Sequence, residues 1–167
     1  MSDERFHMAN RLLFRMFKAT NLMHVTGTAW TASLKLTTQQ WSVLGALASP
    51  GYENGLTVNE LAEYLFVSRQ NVNGLLDRLE QAGLTERVQK ASDRRVRLVR
   101  LTKGGAKLWS TLTNEIRTYY EAALKGFSNE EIVQFQYLTD RLMANMLQIR
   151  ESNVRKANDK TSPEAQP

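Results

Sequence analysis

The segment from Ser68 to Thr102 holds the chain's densest set of hydrogen-bonding and cationic side chains. It opens with Ser-Arg-Gln-Asn-Val-Asn at 68–73, stops at Gly83, and continues as two short β-prone runs on either side of Ser-Asp-Arg-Arg at 92–95. A helix with such a first turn can present these side chains to base edges in a DNA major groove, and an arginine-bearing hairpin can reach the adjacent minor groove. The pattern predicts a recognition helix followed by a wing.

The positive charge of the chain is concentrated in this segment. Between Arg87 and Lys103 there are seven basic residues and one acidic residue, a net charge of +6, whereas the whole chain of 167 residues carries +5. A basic stripe beside a helix-turn-helix is what neutralisation of DNA phosphates requires. A solvated basic hairpin is the alternative for such a run, and the adjoining capped helix favours nucleic acid.

Composition excludes several other classes of protein. The hydrophobic content of 42% is enough for a folded core, and the absence of cysteine rules out disulfides, thiolate metal sites and thiol switches. The N-terminus is polar, and no apolar run approaches the roughly 20 residues of a membrane span. The basic residues lie on a predicted hairpin, not along an amphipathic helix as surface binding to membranes would require. We therefore expect a soluble cytoplasmic protein without a membrane partner.

The starts of the helices are marked by capping residues. Thr37-x-x-Gln40, Thr57-x-x-Glu60 and Ser128-x-x-Glu131 fit the capping box, and Ser68 and Thr102 are further N-cap candidates. Apolar residues at helical spacing predict three short helices between Thr38 and Ala82, with a loop at Ser49–Gly55 between the first and second of these helices.

Long amphipathic patterns flank this central unit, the first from about Asp3 to Ser33 and two more after Thr102. Such helices must bury their apolar faces to be stable, and packing against a second copy of the chain is the economical solution. A monomeric bundle is the alternative. The expected fold is mainly α with a small β wing, in which residues 1–35 and 104–151 form a helical dimerisation region, residues 36–103 a winged helix-turn-helix domain, and residues 152–167 a flexible tail.

This pattern resembles the MarR family of bacterial transcription regulators. The resemblance covers nearly the whole chain and rests on Leu36-Thr37, the helix from Ser68 to Gly83-Leu84, Asp93-Arg94-Arg95, and Leu101-Thr102-x-x-Gly105. It implies a homodimer that binds a pseudo-palindromic operator, with half-sites about one helical turn apart. It further implies a repressor that a small molecule releases from DNA.

The resemblance also implies which residues contact DNA. In the recognition helix these would be the capping Ser68, able to touch phosphate, and the base readers Arg69, Gln70, Asn71 and Asn73. In the wing they would be Lys90, Asp93, Arg94 and Arg95, with Arg95 in the minor groove and Asp93 holding it by a charge-assisted hydrogen bond. The alternatives are a surface cation for Arg95 and simple capping for the asparagines. Many family members have threonines at positions 71 and 73, and Gly74 within a helix costs about 1 kcal/mol relative to Ala.

The resemblance places an effector pocket where the dimerisation helices meet the DNA-binding lobe, and it implies an aromatic carboxylate or its CoA thioester as ligand. The stretch His24–Thr31 is a poor helix in isolation and would leave room and hydroxyls there. Candidate ligand-binding residues are His24, Trp30 and Trp41, with Arg11 as a distant counter-ion. The alternative is that both tryptophans belong to the core and that His24 is an ordinary helix residue.

Catalytic and metal-binding functions are not expected. His7 and His24 are 17 residues apart on one predicted helix, about 25 Å of rise, so they cannot chelate one ion, and neither lies in a nucleophile motif. The Lys-Gly-Gly-Ala-Lys at 103–107 lacks the spacing of a phosphate loop. We expect no enzyme activity, no metal and no cofactor. Two rivals to a regulator are an architectural DNA binder without sequence preference and a winged-helix module that binds protein.

Overall fold

The structure is a computed structural model that describes residues 1–161, the last eight of them by their backbone alone. Its mainly helical fold with a two-stranded antiparallel wing confirms the predicted fold class. Two compact units are present, one of residues 1–123 and a second from Leu124 onward. The elements are α1 (Asp3–Trp30), a 3-10 turn (Ala32–Leu34), α2 (Thr38–Ala48), α3 (Val58–Tyr64), α4 (Arg69–Gln81), β1 (Thr85–Lys90), β2 (Asp93–Leu101), α5 (Lys103–Ala123) and α6 (Asn129–Thr161).

All five predicted N-caps are formed. Thr37 and Gln40, Thr57 and Glu60, and Ser128 and Glu131 each exchange the two reciprocal hydrogen bonds of a capping box. The Ser68 hydroxyl accepts the Asn71 N–H at 3.1 Å, and the Thr102 hydroxyl accepts the Gly105 N–H at 3.0 Å. Local side-chain chemistry thus sets where these helices begin, because the first turn of a helix has N–H groups without backbone partners.

One hydrophobic core joins α2, α3, α4, β2 and α5. Its fully buried members include Leu44, Leu61, Leu76, Val99 and Leu112. Each comes from a different element, so the core fixes the angle at which α4 and the wing emerge. The face of α4 opposite its buried residues is left for solvent or a partner.

The base of the wing hairpin (β1 and β2) is held to the segment before α3, in the winged lobe formed by α2, α3, α4 and the wing. Leu56 bridges to Val99 through two backbone hydrogen bonds of 2.7 and 2.9 Å. Gly55 precedes this bridge with a φ of 93°, and a Cβ there would lie 2.4 Å from the Val99 carbonyl oxygen. Glycine is required at this position because both the left-handed backbone and the close approach exclude a side chain.

Two element boundaries differ from the sequence-based expectation. Helix α1 ends at Trp30 and a 3-10 turn follows, whereas the apolar pattern predicted helix to Ser33. Helix α6 continues to Thr161, so the backbone is helical over residues 152–161, where the sequence predicted a flexible tail. The rest of the predicted tail, 162–167, lies outside the described residues. The division into a dimerisation region and a DNA-binding domain stays a prediction. In the described part of the chain, no helix has the length and apolar character needed to cross a membrane.

Candidate nucleic-acid interface

Helix α4 is amphipathic, and its polar face is turned away from the core. Val72, Leu75, Leu76 and Leu79 are buried. At 100° per residue, the positions opposite this stripe are Gln70, Gly74, Asp77 and Gln81. The predicted recognition helix therefore presents a polar face that includes part of its first turn.

The first turn offers hydrogen-bonding groups that the protein itself does not use. Among the residues described, the side-chain amides of Gln70 and Asn71 have no hydrogen-bond partner, and both residues are exposed. Arg69 is also exposed, and its guanidinium lies 3.5 Å from the Asn59 side-chain oxygen of α3. Free amide groups on an exposed helix face can form bidentate hydrogen bonds with adenine, which is the chemistry expected of base readers.

Asn73 differs from its neighbours because both ends of its amide are engaged. Its Nδ2 donates to the Arg69 carbonyl oxygen at 3.1 Å, and its Oδ1 accepts from the Arg87 guanidinium at 3.3 Å. In the free protein the Asn73 amide is therefore held by α4 and β1, and a contact with a base would have to replace or share these hydrogen bonds.

Arg87 of β1 forms ion pairs with α4, which the sequence analysis did not foresee. Its guanidinium donates to Glu80 at 2.6 Å and to Asp77 at 3.3 Å. The signal for this contact was present as two acidic residues three apart near the end of α4, followed by an arginine at the start of the wing. Because the basic residues were counted as one stripe, their individual partners were missed.

Ion pairing leaves a smaller basic surface than the sequence count implied. Arg100 donates to Glu86 at 2.8 Å across the hairpin, so both it and Arg87 are neutralised by nearby carboxylates. The other cations of the segment form no salt bridge with any residue whose side chain the structure describes; they are Lys90, Arg94, Arg95, Arg97 and Lys103. Five cations are thus available for phosphates, and the wing remains the basic surface.

The predicted wing arginines lie in an irregular part of the hairpin. Lys90 pairs with Asp93, but the next register pair is Gln89 with Arg97, so Arg94 and Arg95 fall in a bulge of β2 just after the turn at 91–92. Both arginines are exposed. A bulge twists the strand and redirects its side chains, which projects these cations from the edge of the wing.

The predicted contact between Asp93 and the Arg95 guanidinium is wrong for the free protein. The Asp93 carboxylate instead accepts the Arg95 backbone N–H at 2.9 Å. This is an Asx-type turn, in which an aspartate bonds the backbone two residues ahead and fixes the chain locally. Asp93 therefore shapes the bulge that carries Arg95 and leaves its guanidinium free.

Gly74 lies on the outward face of α4, one turn after Gln70. A Cβ at this position would meet no atom of the described residues within 4 Å. Close packing inside the protomer therefore does not explain the glycine. The missing side chain leaves a gap in the polar face of α4.

The candidate ligand-binding tryptophans lie against a pair of tyrosines on α5. The ring of Trp30 packs at a tilt against Tyr119 with ring centroids 5.7 Å apart, and that of Trp41 packs at a tilt against Tyr120 at 6.1 Å. The two tyrosine rings lie 6.1 Å from each other. Burial raises the pKa of the Tyr120 phenol, and the neighbouring Tyr119 adds to the effect. Neither tyrosine was among the predicted site residues, because their contacts depend on how α5 packs on α1 and α2.

The hydroxyls expected near the end of α1 are present and are hydrogen-bonded within the protein. Thr26 bonds the Tyr119 hydroxyl at 2.8 Å, Thr28 bonds Thr38 at 2.7 Å, and the buried Thr31 donates to the Leu36 carbonyl oxygen at 2.9 Å. The stretch is helical as far as Trp30 because these contacts compensate for its poor intrinsic propensity.

The remaining candidate residues are not brought together into one site. Trp41 is half-buried against the core, which agrees with the alternative that it is a core residue. Trp30, in contrast, is 41% exposed and donates its indole N–H to the Glu115 carbonyl oxygen. His24 is exposed. Arg11 lies on α1 about 20 Å of helix rise from His24, so it does not join the aromatic group within one protomer.

The fold and the polar, cationic surface define a winged helix-turn-helix protein of the DNA-binding class. Residues 34–96 match the family model described as MarR family. A transcriptional activatory protein, BadR, of Rhodopseudomonas palustris is 42% identical over 87% of this chain and 83% of its own length. The chain therefore belongs to the MarR family.

Two further similarities agree with this assignment. The homoprotocatechuate degradative operon repressor of Escherichia coli is 30% identical over 65% of this chain and 72% of its own length. The crystal structure of an S. aureus MepR-DNA complex superposes with a TM-score of 0.68 and 27% identity, over 81% of this chain and 96% of that one. The protein is a transcription regulator and not an enzyme, as the sequence analysis predicted.

Proposed function

We propose that the protein binds a pseudo-palindromic operator as a homodimer, with α4 in the major groove and the wing on the adjacent minor groove. The observation that carries this proposal is the combination of two amides without a hydrogen-bond partner among the described residues, those of Gln70 and Asn71, with an exposed wing. The guanidinium groups of its Arg94 and Arg95 form no salt bridge with the described side chains. The similarity to MepR, whose structure was solved as a complex with DNA, supports DNA binding by this fold. Arg69 and Lys90 complete the proposed contact surface, and Ser68 caps α4 beside a phosphate.

A homodimer is supported by the apolar side chains that the protomer leaves exposed. Phe6, Leu13 and Phe17 recur at seven and four residues along α1 and form one stripe, with exposures of 54%, 45% and 62%. Helix α6, taken by itself, also exposes Phe135 and Ile149. Apolar surface of this extent is stabilised by burial against a partner, and a twofold dimer would present two α4 helices to successive major grooves.

We further propose that a small anionic aromatic metabolite, or its CoA thioester, controls DNA binding. The group formed by Trp30, Trp41, Tyr119 and Tyr120 joins α1, α2 and α5, so a ligand inserted against these rings would change how α1 packs on the lobe that carries α4. The name of the Escherichia coli relative, which refers to homoprotocatechuate degradation, supports an effector of this kind.

Two directions of control have support from different relatives. The 42% identical relative is an activator, and the 30% identical one is a repressor. The higher identity and wider coverage favour activation, while the family resemblance favours repression. In-vitro transcription from a promoter that carries the operator, with and without the protein, distinguishes activation from repression. An activator raises the transcript yield and a repressor lowers it.

The DNA-binding proposal is tested with duplexes selected from a randomised library. The purified protein should enrich a twofold-symmetric sequence and bind it about 10³-fold more tightly than random duplex at the same salt concentration. An architectural DNA binder would show almost no such ratio, and a protein-interaction module would show no salt-dependent affinity. Either result would refute a sequence-specific regulator.

The effector proposal has its own test, with homoprotocatechuate and its CoA thioester as probes and free coenzyme A as the control. We expect an aromatic probe to quench the fluorescence of Trp30 and to shift operator affinity, and Trp30→Ala to abolish both changes. Unchanged operator affinity with every probe would contradict this class of effector.

A further inference from the structure

Arg87 is the wing cation that contacts the recognition helix directly. The Nη1 of its guanidinium donates to Glu80 at 2.6 Å, and the Nη2 donates to Asp77 and to the Asn73 side-chain oxygen, both at 3.3 Å. The acceptors are four and three residues apart, so they form one stripe along the flank of α4. A single side chain of β1 therefore forms hydrogen bonds with residues on two successive turns of α4.

This contact is better shielded from solvent than the other ion pair of the wing. The side chains of Arg87 and Glu80 are 25% and 26% exposed, whereas those of Arg100 and Glu86 are 49% and 44% exposed. The second carboxylate oxygen of Glu80 is buried and has no hydrogen-bond partner among the described residues. Because a partly buried carboxylate depends on its remaining partner, the Arg87 contact is held more firmly than an exposed surface pair.

The contact also sets the orientation of Asn73. The Asn73 amide has one oxygen and one nitrogen, and Arg87 takes the oxygen while the Arg69 carbonyl takes the nitrogen. The amide is thereby fixed in one rotamer on the side of α4 that faces the wing. Gln70 and Asn71, in contrast, are free to turn toward a base.

We infer that Arg87 is a positioning residue for DNA recognition: it locks the wing to α4 and holds Asn73, so base preference depends on a side chain that reads no base itself. The inference rests on the proposed function, because it concerns how the same surface discriminates among operators. In this role Arg87 does not neutralise DNA phosphates, because its charge is paired with the carboxylates of Asp77 and Glu80.

The planar guanidinium is needed for this role, and a positive charge alone does not suffice. Arginine presents several N–H donors in a fixed fork, whereas the lysine ammonium is a compact charge on a flexible stem. Lysine at position 87 would keep the charge balance with Asp77 and Glu80 but could not hold three acceptors in one geometry. The substitution Arg87→Lys therefore separates orientation from electrostatics.

The test compares Arg87→Lys with Arg100→Lys in the full-length protein. Arg100 is the matched control because it lies on the neighbouring strand and its ion pair stays within the hairpin. Each variant selects from the same randomised duplex library, and the enriched sequences give the base preference at every position of the half-site. Affinity for random duplex is measured at several salt concentrations.

We expect Arg87→Lys to lower discrimination about tenfold at one or two positions of each half-site, within the range of a single base contact. Its affinity for random duplex and the salt dependence of that affinity should match those of the unmodified protein, because the charge is kept. Arg100→Lys should retain the base preference.

Three results would overturn the inference. They are an unchanged preference profile in Arg87→Lys, a uniform loss of affinity that includes random duplex, and an equal change in Arg100→Lys. If the unmodified protein itself enriches no sequence, the proposed function fails instead, so the two failures are distinguishable.

A second variant covers the case in which Arg87→Lys does not fold, as judged by its circular dichroism. Glu80→Gln keeps the shape of the side chain and replaces the ion pair with Arg87 by a weaker neutral hydrogen bond. It should lower base discrimination at the same half-site positions by a smaller factor. A wild-type profile in a folded Glu80→Gln variant would count against Arg87 as a positioning residue.

Discussion

Helix α4, the predicted recognition helix, and helix α1 bury their apolar residues to very different extents. Four of the thirteen residues of α4 are buried, whereas Gly27 is the single buried residue of the 28 in α1. The winged lobe is therefore stabilised by its own core. Helix α1 carries a stripe of large apolar side chains that the described protomer leaves in solvent, and its stability depends on what covers that stripe.

The largest effect is expected from the lobe core. Leu76 is fully buried on α4, so Leu76→Ala should destabilise the protein by about 2 to 5 kcal/mol through lost burial and the cavity it leaves. Urea denaturation at a fixed protein concentration measures this change. The matched control is Leu12→Ala on α1, at a position 57% exposed, which should cost far less. Similar losses for the two variants would break the comparison between the regions.

The apolar stripe of α1 should matter for association and not for the fold of the lobe. Leu13→Asp places a charge in the proposed dimer interface, and we expect the dimer dissociation constant to rise about a hundredfold, or about 2.7 kcal/mol. Sedimentation velocity over a concentration series measures it. Arg15→Asp changes charge on the same helix outside the stripe and serves as the control. A dimer of unchanged affinity in Leu13→Asp would remove α1 from the interface.

Within the lobe, the exposed wing should affect DNA binding without affecting stability. Arg95→Ala should weaken binding to the selected operator by about 1 to 3 kcal/mol, because it removes a proposed DNA contact. The Arg95 guanidinium forms no salt bridge with the described side chains, so the folded protomer loses no ion pair. The melting temperature should stay nearly constant. Arg117→Ala removes the same charge from α5 and is the control. Equal operator affinity for Arg95→Ala and the unmodified protein would exclude Arg95 from the interface.

Gly74 lets stability and DNA binding be changed in opposite directions. Gly74→Ala should stabilise α4 by about 1 kcal/mol, because alanine is the better helix former and a Cβ meets no atom of the described protomer. The same methyl group would project from the face that approaches DNA, so operator affinity should fall. Thermal unfolding and operator titration measure the two effects. A more stable variant with full affinity would show that the glycine is merely tolerated.

The smallest expected effect concerns pH and the cap of α3. Hydrogen bonds from the Thr57 backbone N–H and hydroxyl lower the pKa of Glu60. A carboxylate whose pKa is lower in the folded than in the unfolded protein stabilises the fold at pH values above its ordinary pKa of about 4.3. This stabilisation is lost as the pH falls through the lowered, folded-state pKa.

Because Glu60 is exposed, Glu60→Gln should cost only a few tenths of a kcal/mol near neutral pH, and the difference should shrink at an acidic pH below the ordinary pKa of about 4.3. Thermal unfolding at both pH values checks this, with Glu63→Gln as the control on the same helix. If the stability difference between Glu60→Gln and the unmodified protein grew as the pH fell, the predicted direction of the pH dependence would be wrong.

The ends of the elements were predicted well wherever local chemistry decides them. Each predicted N-cap is formed, and the recognition helix and wing lie where the polar and basic pattern placed them. The site was predicted less completely. The partners of Arg87 and the role of Asp93 were not foreseen, because an ion pair depends on which acceptors the folded chain brings within reach of a side chain.

The sequence by itself determined the order of the elements, their caps, the basic wing and the family, because these depend on residues close together in the chain. Only the tertiary structure decided which cations remain free, which amide of the first turn is held, and which rings lie against the tryptophans. The physical reason is that hydrogen bonds and ion pairs act over a few ångströms. Residues such as Asn73 and Arg87, or Trp30 and Tyr119, come within that distance only after the core has packed.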